Sequence, residues 1–286
     1  MWLIFGCMVI ALFSMYERAH AYIPRTKLVL EKTAKSHGKG YYSIQIEATF
    51  RGEQSSTSVI ERWIVENGES MFMEAKGGGV SIATLYKGKQ KFFLDEGGAE
   101  HAAKLPSDFF EGMFHYRSWD GLGQSLVNYK ITPPKVLARE PVVRSLKDVN
   151  FSHDPYIRLA RTGGVIAYAI GKPTPPDVTI PFPGLWVDQD RFFIRRMRFP
   201  SQVEFTADDY GEYGQGLWYP KSRTVSWGQN SVTLRTVKVT PIVSSDEVRQ
   251  KLLPSYFRSR RQDFVKSQYP QGETAALIRD FYSRFR

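Results

Sequence analysis

Five histidines, one cysteine and a few paired acids are the groups from which this chain could build covalent or metal chemistry. None falls into a working spacing. His37, His101, His115 and His153 are scattered, with no His-Glu-x-x-His run or other metal-ligand interval. His20 belongs to the leading segment. No Gly-x-Ser-x-Gly elbow presents a serine nucleophile. Asp188 and Asp190 resemble a carboxylate pair, but such pairs do acid–base work only where burial or proximity separates their pKa values. Placed at an exposed hairpin tip they read as turn formers, and so do Asp208 and Asp209. The triplet Gly77, Gly78, Gly79 is followed by no helix signal and no Lys-Ser/Thr, so it does not cradle a phosphate. The expectation is a protein that is not an enzyme and that has no catalytic residue, no metal site and no cofactor.

What remains is apolar and large. Trp63, Phe72, Tyr86, Phe92, Phe110, Phe114, Trp186 and Phe192 are spread over strands and one apolar helix. Trp218 and Trp227 join them. Each alone reads as ordinary core. Collectively, on the concave face of a curled sheet with helices over its mouth, they would line an acyl-chain pocket. Residues 184–199 add charge to this pattern. Two strand-like runs flank Asp188-Gln189-Asp190, and the second mixes aromatics with Arg191, Arg195, Arg196 and Arg198. A side-chain period of two puts Phe192, Ile194, Arg196 and Arg198 on one face and Arg191, Phe193, Arg195, Met197 and Phe199 on the other. Both faces are then partly apolar, and the arginines are candidates to meet anionic headgroups.

The elements that must carry these residues are mostly strands. Aromatics make up 14% of the chain, which suits a pleated surface. Residues 23–36 read as a helix. Residues 41–51 alternate so regularly (Tyr42, Ile44, Ile46, Ala48 and Phe50 against Ser43, Gln45, Glu47, Thr49 and Arg51) that one face must be buried. Strands are expected over 59–65, 70–76, 81–86 and 90–94, with a hairpin signal at Asn67-Gly68. Residues 96–104 read as loop and 108–116 as an apolar helix plugging one face. A strand broken by Pro141 is expected over 135–145. Further strands follow at 156–161, 165–170, 202–210, 212–219, 223–227 and 231–240, about eleven being needed for the body. The proline-rich residues 172–183 form a stiff loop. The tail changes character after Val243: helices are expected over 246–253, 256–267 and 272–286, strongly basic, either docked on the sheet or lying on an anionic membrane. A sheet of this size must curl, split or close. The fold class is therefore mainly β (α+β): a large curled antiparallel sheet or unclosed β-barrel with covering helices and a C-terminal helical extension.

Compartment follows from the first 21 residues. A nearly unbroken apolar run from Trp2 to Met15 leads to Ala19-His20-Ala21, a small-x-small cleavage pattern, and is short for a membrane span. It reads as a cleaved signal peptide, which would remove Cys7 and leave no thiol. The chain then divides into a signal segment (1–21), a β domain (22–243) and a basic helical extension (244–286). A net charge of +10 favours an anionic partner such as a phospholipid surface, although it serves solubility equally well. Nucleic acid is disfavoured by export and by the lack of an RNA-binding signature.

In element order the chain resembles a family. An exported helix leads into residues 41–50. Then come Glu61-Arg62-Trp63, the Leu85-Tyr86-Lys87-Gly88 hairpin, residues 184–190, and Tyr219-Pro220-Lys221 before two strands. The pattern resembles the periplasmic lipoprotein-carrier superfamily with the LolA/LolB-like fold. That resemblance implies an unclosed barrel covered by helices and a periplasmic, non-enzymatic protein. Such a protein would bind a lipid or lipoprotein acyl chain, or act as an envelope sensor or scaffold for a protein partner. No family residue maps onto a position here, and the basic tail has no counterpart in the pattern.

Overall fold

A computed structural model describes residues 23–138 and 154–286. The expected signal segment and most of the strand expected over 135–145 lie outside the described residues. Residues Pro134–Leu137 form a 3-10 turn where that strand was expected to begin.

Among the described residues thirteen strands build one antiparallel sheet, against about eleven expected, and residues from the expected loop 96–104 supply one of the additional strands. They are β1 (Tyr41–Arg51), β2 (Ser56–Asn67), β3 (Ser70–Gly77), β4 (Val80–Lys87), β5 (Gln90–Leu94), β6 (Glu100–Lys104), β7 (Ile157–Thr162), β8 (Val165–Ile170), β9 (Gly184–Asp188), β10 (Ile194–Arg198), β11 (Glu204–Glu212), β12 (Trp218–Trp227) and β13 (Asn230–Ile242). The order is β6-β5-β4-β3-β2-β1-β13-β12-β11-β10-β9-β8-β7. The first and last strands therefore meet at the centre, with Phe50 opposite Val232 and Tyr42 opposite Pro241. One meander runs outward from each. The borders β6 and β7 do not pair with each other, so the sheet is an unclosed barrel.

Its inner face is set by the alternation of β1. Tyr42, Ile44, Ile46, Ala48 and Phe50 join one core with the inward residues of the other strands. Three helices cover or fill that face: α1 (Thr26–Lys35), α2 (Trp119–Asn128) and the last helix, α5 (Ala275–Phe285). The helix expected over 108–116 is instead a 3-10 turn, Glu111–Phe114. Gly112 weakens a helix there, and a Cβ on it would lie 2.8 Å from the Gly68 carbonyl oxygen, so the segment is pressed against the β2–β3 turn. Phe110, Met113 and Phe114 still enter the core.

The tail reaches both faces. Its first helices, α3 (Asp246–Lys251) and α4 (Pro254–Ser259), lie outside, where Leu252 and Phe257 cover Phe72, Leu85 and Leu94. The second expected tail helix is shorter than its pattern and ends at Ser259, followed by a 3-10 turn. The chain then passes over the rim of the sheet. Gln268 and Ser81 exchange backbone hydrogen bonds of 3.1 and 2.8 Å, and Glu273 accepts from the 53–55 turn. Beyond the rim α5 enters the lumen. Its Ile278, Phe281, Tyr282 and Phe285 are buried among Phe50, Trp227 and Phe110.

Candidate functional site

Among the described residues, charge meets apolar surface in the lumen, at the arginine hairpin and in a pocket at the mouth.

The lumen holds a buried ionic network. Glu61 on β2 faces inward with Val59, Trp63 and Val65, because strand alternation leaves it no other side. Its carboxylate accepts from Arg286 Nε at 3.0 Å and Nη2 at 3.1 Å, and from Trp63 Nε1 at 3.1 Å. Glu111, in the 3-10 turn, accepts from Arg223 Nη1 at 2.8 Å and from the Tyr219 hydroxyl, with His115 Nε2 at 3.3 Å. Arg286 Nη2 lies 3.7 Å from Glu111 and joins the two halves. The guanidiniums are flanked by rings: Arg286 lies over Phe110 and Trp63, and Arg223 over Tyr219 and Phe114. Burial alone would raise the Glu111 carboxyl. Arg223, the His115 hydrogen bond and Arg286 overcome it and hold that carboxyl well below the usual range. Burial opposes the Arg286 charge, but Glu61 and Glu111 outweigh it and raise its pKa. Burial lowers His115 against the pull of Glu111, which keeps the imidazole neutral. Two carboxylates facing two guanidiniums need no further counter-ion. Buried and paired, they tie α5 to the inner face of the sheet.

The arginine hairpin is tied up differently. A register shift between Ile194 and Arg196 breaks the period of two, so Ile194 and Met197 both face the lumen. The expected division of faces is corrected accordingly. The bulge turns Arg196 and Arg198 outward together, over Trp186 at 4.7 and 5.7 Å, where Glu204 accepts from both at 2.6 and 2.9 Å. Asp188 is buried, not exposed at a tip. It accepts from the backbone of Asp190 and Arg191 and from Arg195 Nη2 at 2.9 Å. Its carboxyl is raised by burial, but the Arg191 amide and Arg195 bring it below its ordinary value. It is a turn former with a charge partner. Arg191 is exposed.

The mouth pocket has a volume of about 490 Å³. One wall is the end of α2 and the turn after it, with Val127, Ile131, Pro133 and Pro134; the other is the start and end of the 172–183 loop, with Phe182 and Pro183. Tyr156 closes one side, and Lys130 and Lys172 supply the charges. The loop is braced, because Phe182 N donates to Thr174 Oγ1 at 2.8 Å and Gln202 Nε2 to the Pro181 carbonyl at 3.1 Å.

The aromatic candidates separate into three groups. Trp63, Tyr86, Phe110 and Phe114 share the lumen core, with Trp63 stacked on Tyr86 at 5.6 Å. Phe192 packs against that core through Tyr168. Phe72 and Phe92 lie on the outer face with the α4 cluster, and Trp186 lies outside with Ala167 and Ala169. Glu61, Glu111, Arg223 and Arg286 were missed, as were Lys130 and Lys172. Glu61 and Arg223 carried a signal: each occupies the buried phase of an alternating strand. Among the described residues no three His, Cys, Asp or Glu side chains gather as a metal site would need.

No protein-family model and no curated protein matches the sequence. Solved structures do. An outer membrane lipoprotein-sorting protein domain from Vibrio parahaemolyticus aligns with a TM-score of 0.48 and 11% identity, over 83% of this chain and 98% of that one. A LolA superfamily protein from Nitrosomonas europaea gives 0.49 and 11%, over 82% and 100%. A DUF1329 family protein from Desulfovibrio piger gives 0.48 and 9%, over 80% and 96%. The second of these belongs by name to the superfamily that the element order resembles.

Proposed function

We propose that this chain is an exported, non-enzymatic binding protein of the cell envelope, working in the periplasm, that carries the acyl chain of a lipid or lipoprotein. The observation that carries the reading is the mouth pocket, whose volume of about 490 Å³ falls within the roughly 300–1,000 Å³ common for small-molecule sites. Burial of an acyl chain is worth about 0.8 kcal/mol per methylene, so ten methylenes give about 8 kcal/mol, near micromolar binding before association costs. The lumen is a second reservoir, but entry there requires α5 to leave. A ligand doing so must replace four buried side chains, each worth about 1.5–3 kcal/mol, and unpairing Glu61 costs about 3–5 kcal/mol more. The pocket is therefore the first site of contact, and the lumen opens only to a ligand that offsets the loss of α5. Export rests on the apolar run and Ala19-His20-Ala21 pattern at the start of the chain. Mass spectrometry of organic extracts of the purified protein, with titration of a fluorescent fatty acid, tests the proposal. Absence of both co-purified lipid and fatty-acid binding would refute it.

A second reading, an envelope sensor or scaffold that binds a protein partner, is favoured by one observation: the occupant of the lumen is a peptide helix held by an ion-paired arginine. Recovery of a stoichiometric protein partner from envelope extracts, with no bound lipid, would favour it over the first.

A further inference from the structure

We infer that Lys130 and Lys172 form an anion clamp at the mouth pocket, which selects single-chain acyl anions over neutral acyl ligands. The inference rests on the acyl-binding reading above and adds the chemistry of the head.

Charge placement is the first ground. Arg195, Arg196, Arg198, Arg223, Arg284 and Arg286 each have a carboxylate partner. Lys130 and Lys172 border the pocket, and among the described residues neither has an acidic partner. Asp154, close in sequence to the pocket's Tyr156, is already committed. It accepts from Thr26 N at 3.1 Å and Tyr156 N at 2.9 Å. A positive rim over an apolar floor is complementary to an anionic head on a hydrocarbon tail.

Backbone conformation is the second and independent ground. α2 ends in a left-handed stop. Lys130 has φ 56°, its N–H donates to the Val127 carbonyl at 2.9 Å, and Ile131 N donates to the Leu126 carbonyl at 2.9 Å. Glycine or asparagine ordinarily fills this position, since a β-carbon there costs about 1–2 kcal/mol. Strained residues of this kind concentrate at ligand clamps and active sites. The strain here places a lysine on the pocket wall at a turn where glycine would be cheaper. Pro133, Pro134 and Pro183 stiffen the surrounding walls, which lowers the ordering cost of binding.

The test uses the full chain and three twelve-carbon probes: dodecanoate, dodecyl phosphate and dodecanol, each titrated by calorimetry at low and at high salt. The wild type is expected to bind at least one anion tenfold or more tighter than dodecanol, with the ratio shrinking at high salt. The tighter anion identifies the head as carboxylate or phosphate. The Lys130→Ala/Lys172→Ala variant is expected to bind all three with the affinity that the wild type has for dodecanol. Both lysines are exposed, so circular dichroism should show an unchanged fold. If the wild type binds dodecanol as tightly as the anions, or if the variant keeps the tenfold preference, the clamp is refuted while acyl binding stands. If no probe binds the wild type, acyl binding itself fails. Lys130→Gly gives a further readout: the left-handed stop is relaxed, so stability holds or rises while the anion preference falls.

Discussion

Replacing Arg286 by Met would remove the guanidinium that holds α5 to Glu61 while keeping most of the apolar stem. Glu61 has 0% exposure and would be left with uncharged neighbours alone, Trp63 Nε1 at 3.1 Å and the Tyr282 hydroxyl. Breaking a buried pair from one side costs about 3–5 kcal/mol, because the remaining charge is stranded. At about 2–4 °C per kcal/mol for a domain of this size, the melting temperature should fall by roughly 6–20 °C. Glu111 should keep its charge, since Arg223 still reaches it at 2.8 Å. The damage is then local to α5. Unfolding followed by tryptophan emission should show an early phase as Trp63 meets water, and proteolysis should appear first in the rim-crossing residues 264–274. The companion double variant, Glu61→Met/Arg286→Met, removes both charges and should recover much of the loss, as apolar replacement of a whole buried pair commonly does. If Arg286→Met costs under about 1 kcal/mol, or if the double variant costs the sum of the two singles, the two residues are not coupled in the way the geometry requires.

Acid should destabilise the protein in two steps. Burial pushes His37 down to about 3, against the pull of its hydrogen bond to the Tyr116 carbonyl, and also lowers His115. Both are neutral in the fold but protonate near pH 6.5 when unfolded, so stability falls as pH drops below about 6.5, by up to about 1.4 kcal/mol per pH unit for each. The lowered Glu111 carboxyl adds a second loss as pH falls through the unfolded carboxylate value; His37→Asn should flatten the first step in a urea-denaturation series. Gly171→Ala should cost about 1–3 kcal/mol, since Gly171 has φ 123° and a Cβ there would lie 2.8 Å from the Pro183 carbonyl oxygen and 3.3 Å from Ile131 Cγ2. Its fatty-acid affinity should fall with it, because both neighbours line the pocket; unchanged affinity would place the ligand elsewhere. Arg196→Ser/Arg198→Ser should weaken sedimentation with anionic vesicles less than Lys130→Ala/Lys172→Ala does, because Glu204 already neutralises one of the two arginines. The opposite order would return the headgroup role to the hairpin.

The strands were legible because their signal is local. Residues 41–51 alternate without error, and the inner face of β1 follows directly. The sheet's central pairing was not legible, since β1 and β13 meet across some 190 residues and nothing in either strand names the other. The face division of the arginine strand failed for one reason: a bulge shifts every later side chain, and Ile194 to Arg196 carries no glycine to mark it. The tail's two destinations were hidden as well. Leu252 and Phe257 look like the apolar side of any basic helix, and only the rim crossing sends them outside while Phe281 and Phe285 go in. The lysine clamp had no sequence signal, because a lysine after a helix is ordinary and its left-handed φ is a property of the fold.

Leaving the ring open has a consequence at its two ends. The outward main-chain groups of β6 and β7 are unpaired by any strand among the described residues, so an extended segment from another polypeptide could add to either without breaking a single existing rung. Five and six residues respectively offer few rungs for such an addition. On β7 the choice of newcomer is biased further. Arg158 is held by the Gly171 carbonyl at 2.8 Å, but the exposed Arg161 disfavours a second copy of the same strand and favours an acidic newcomer.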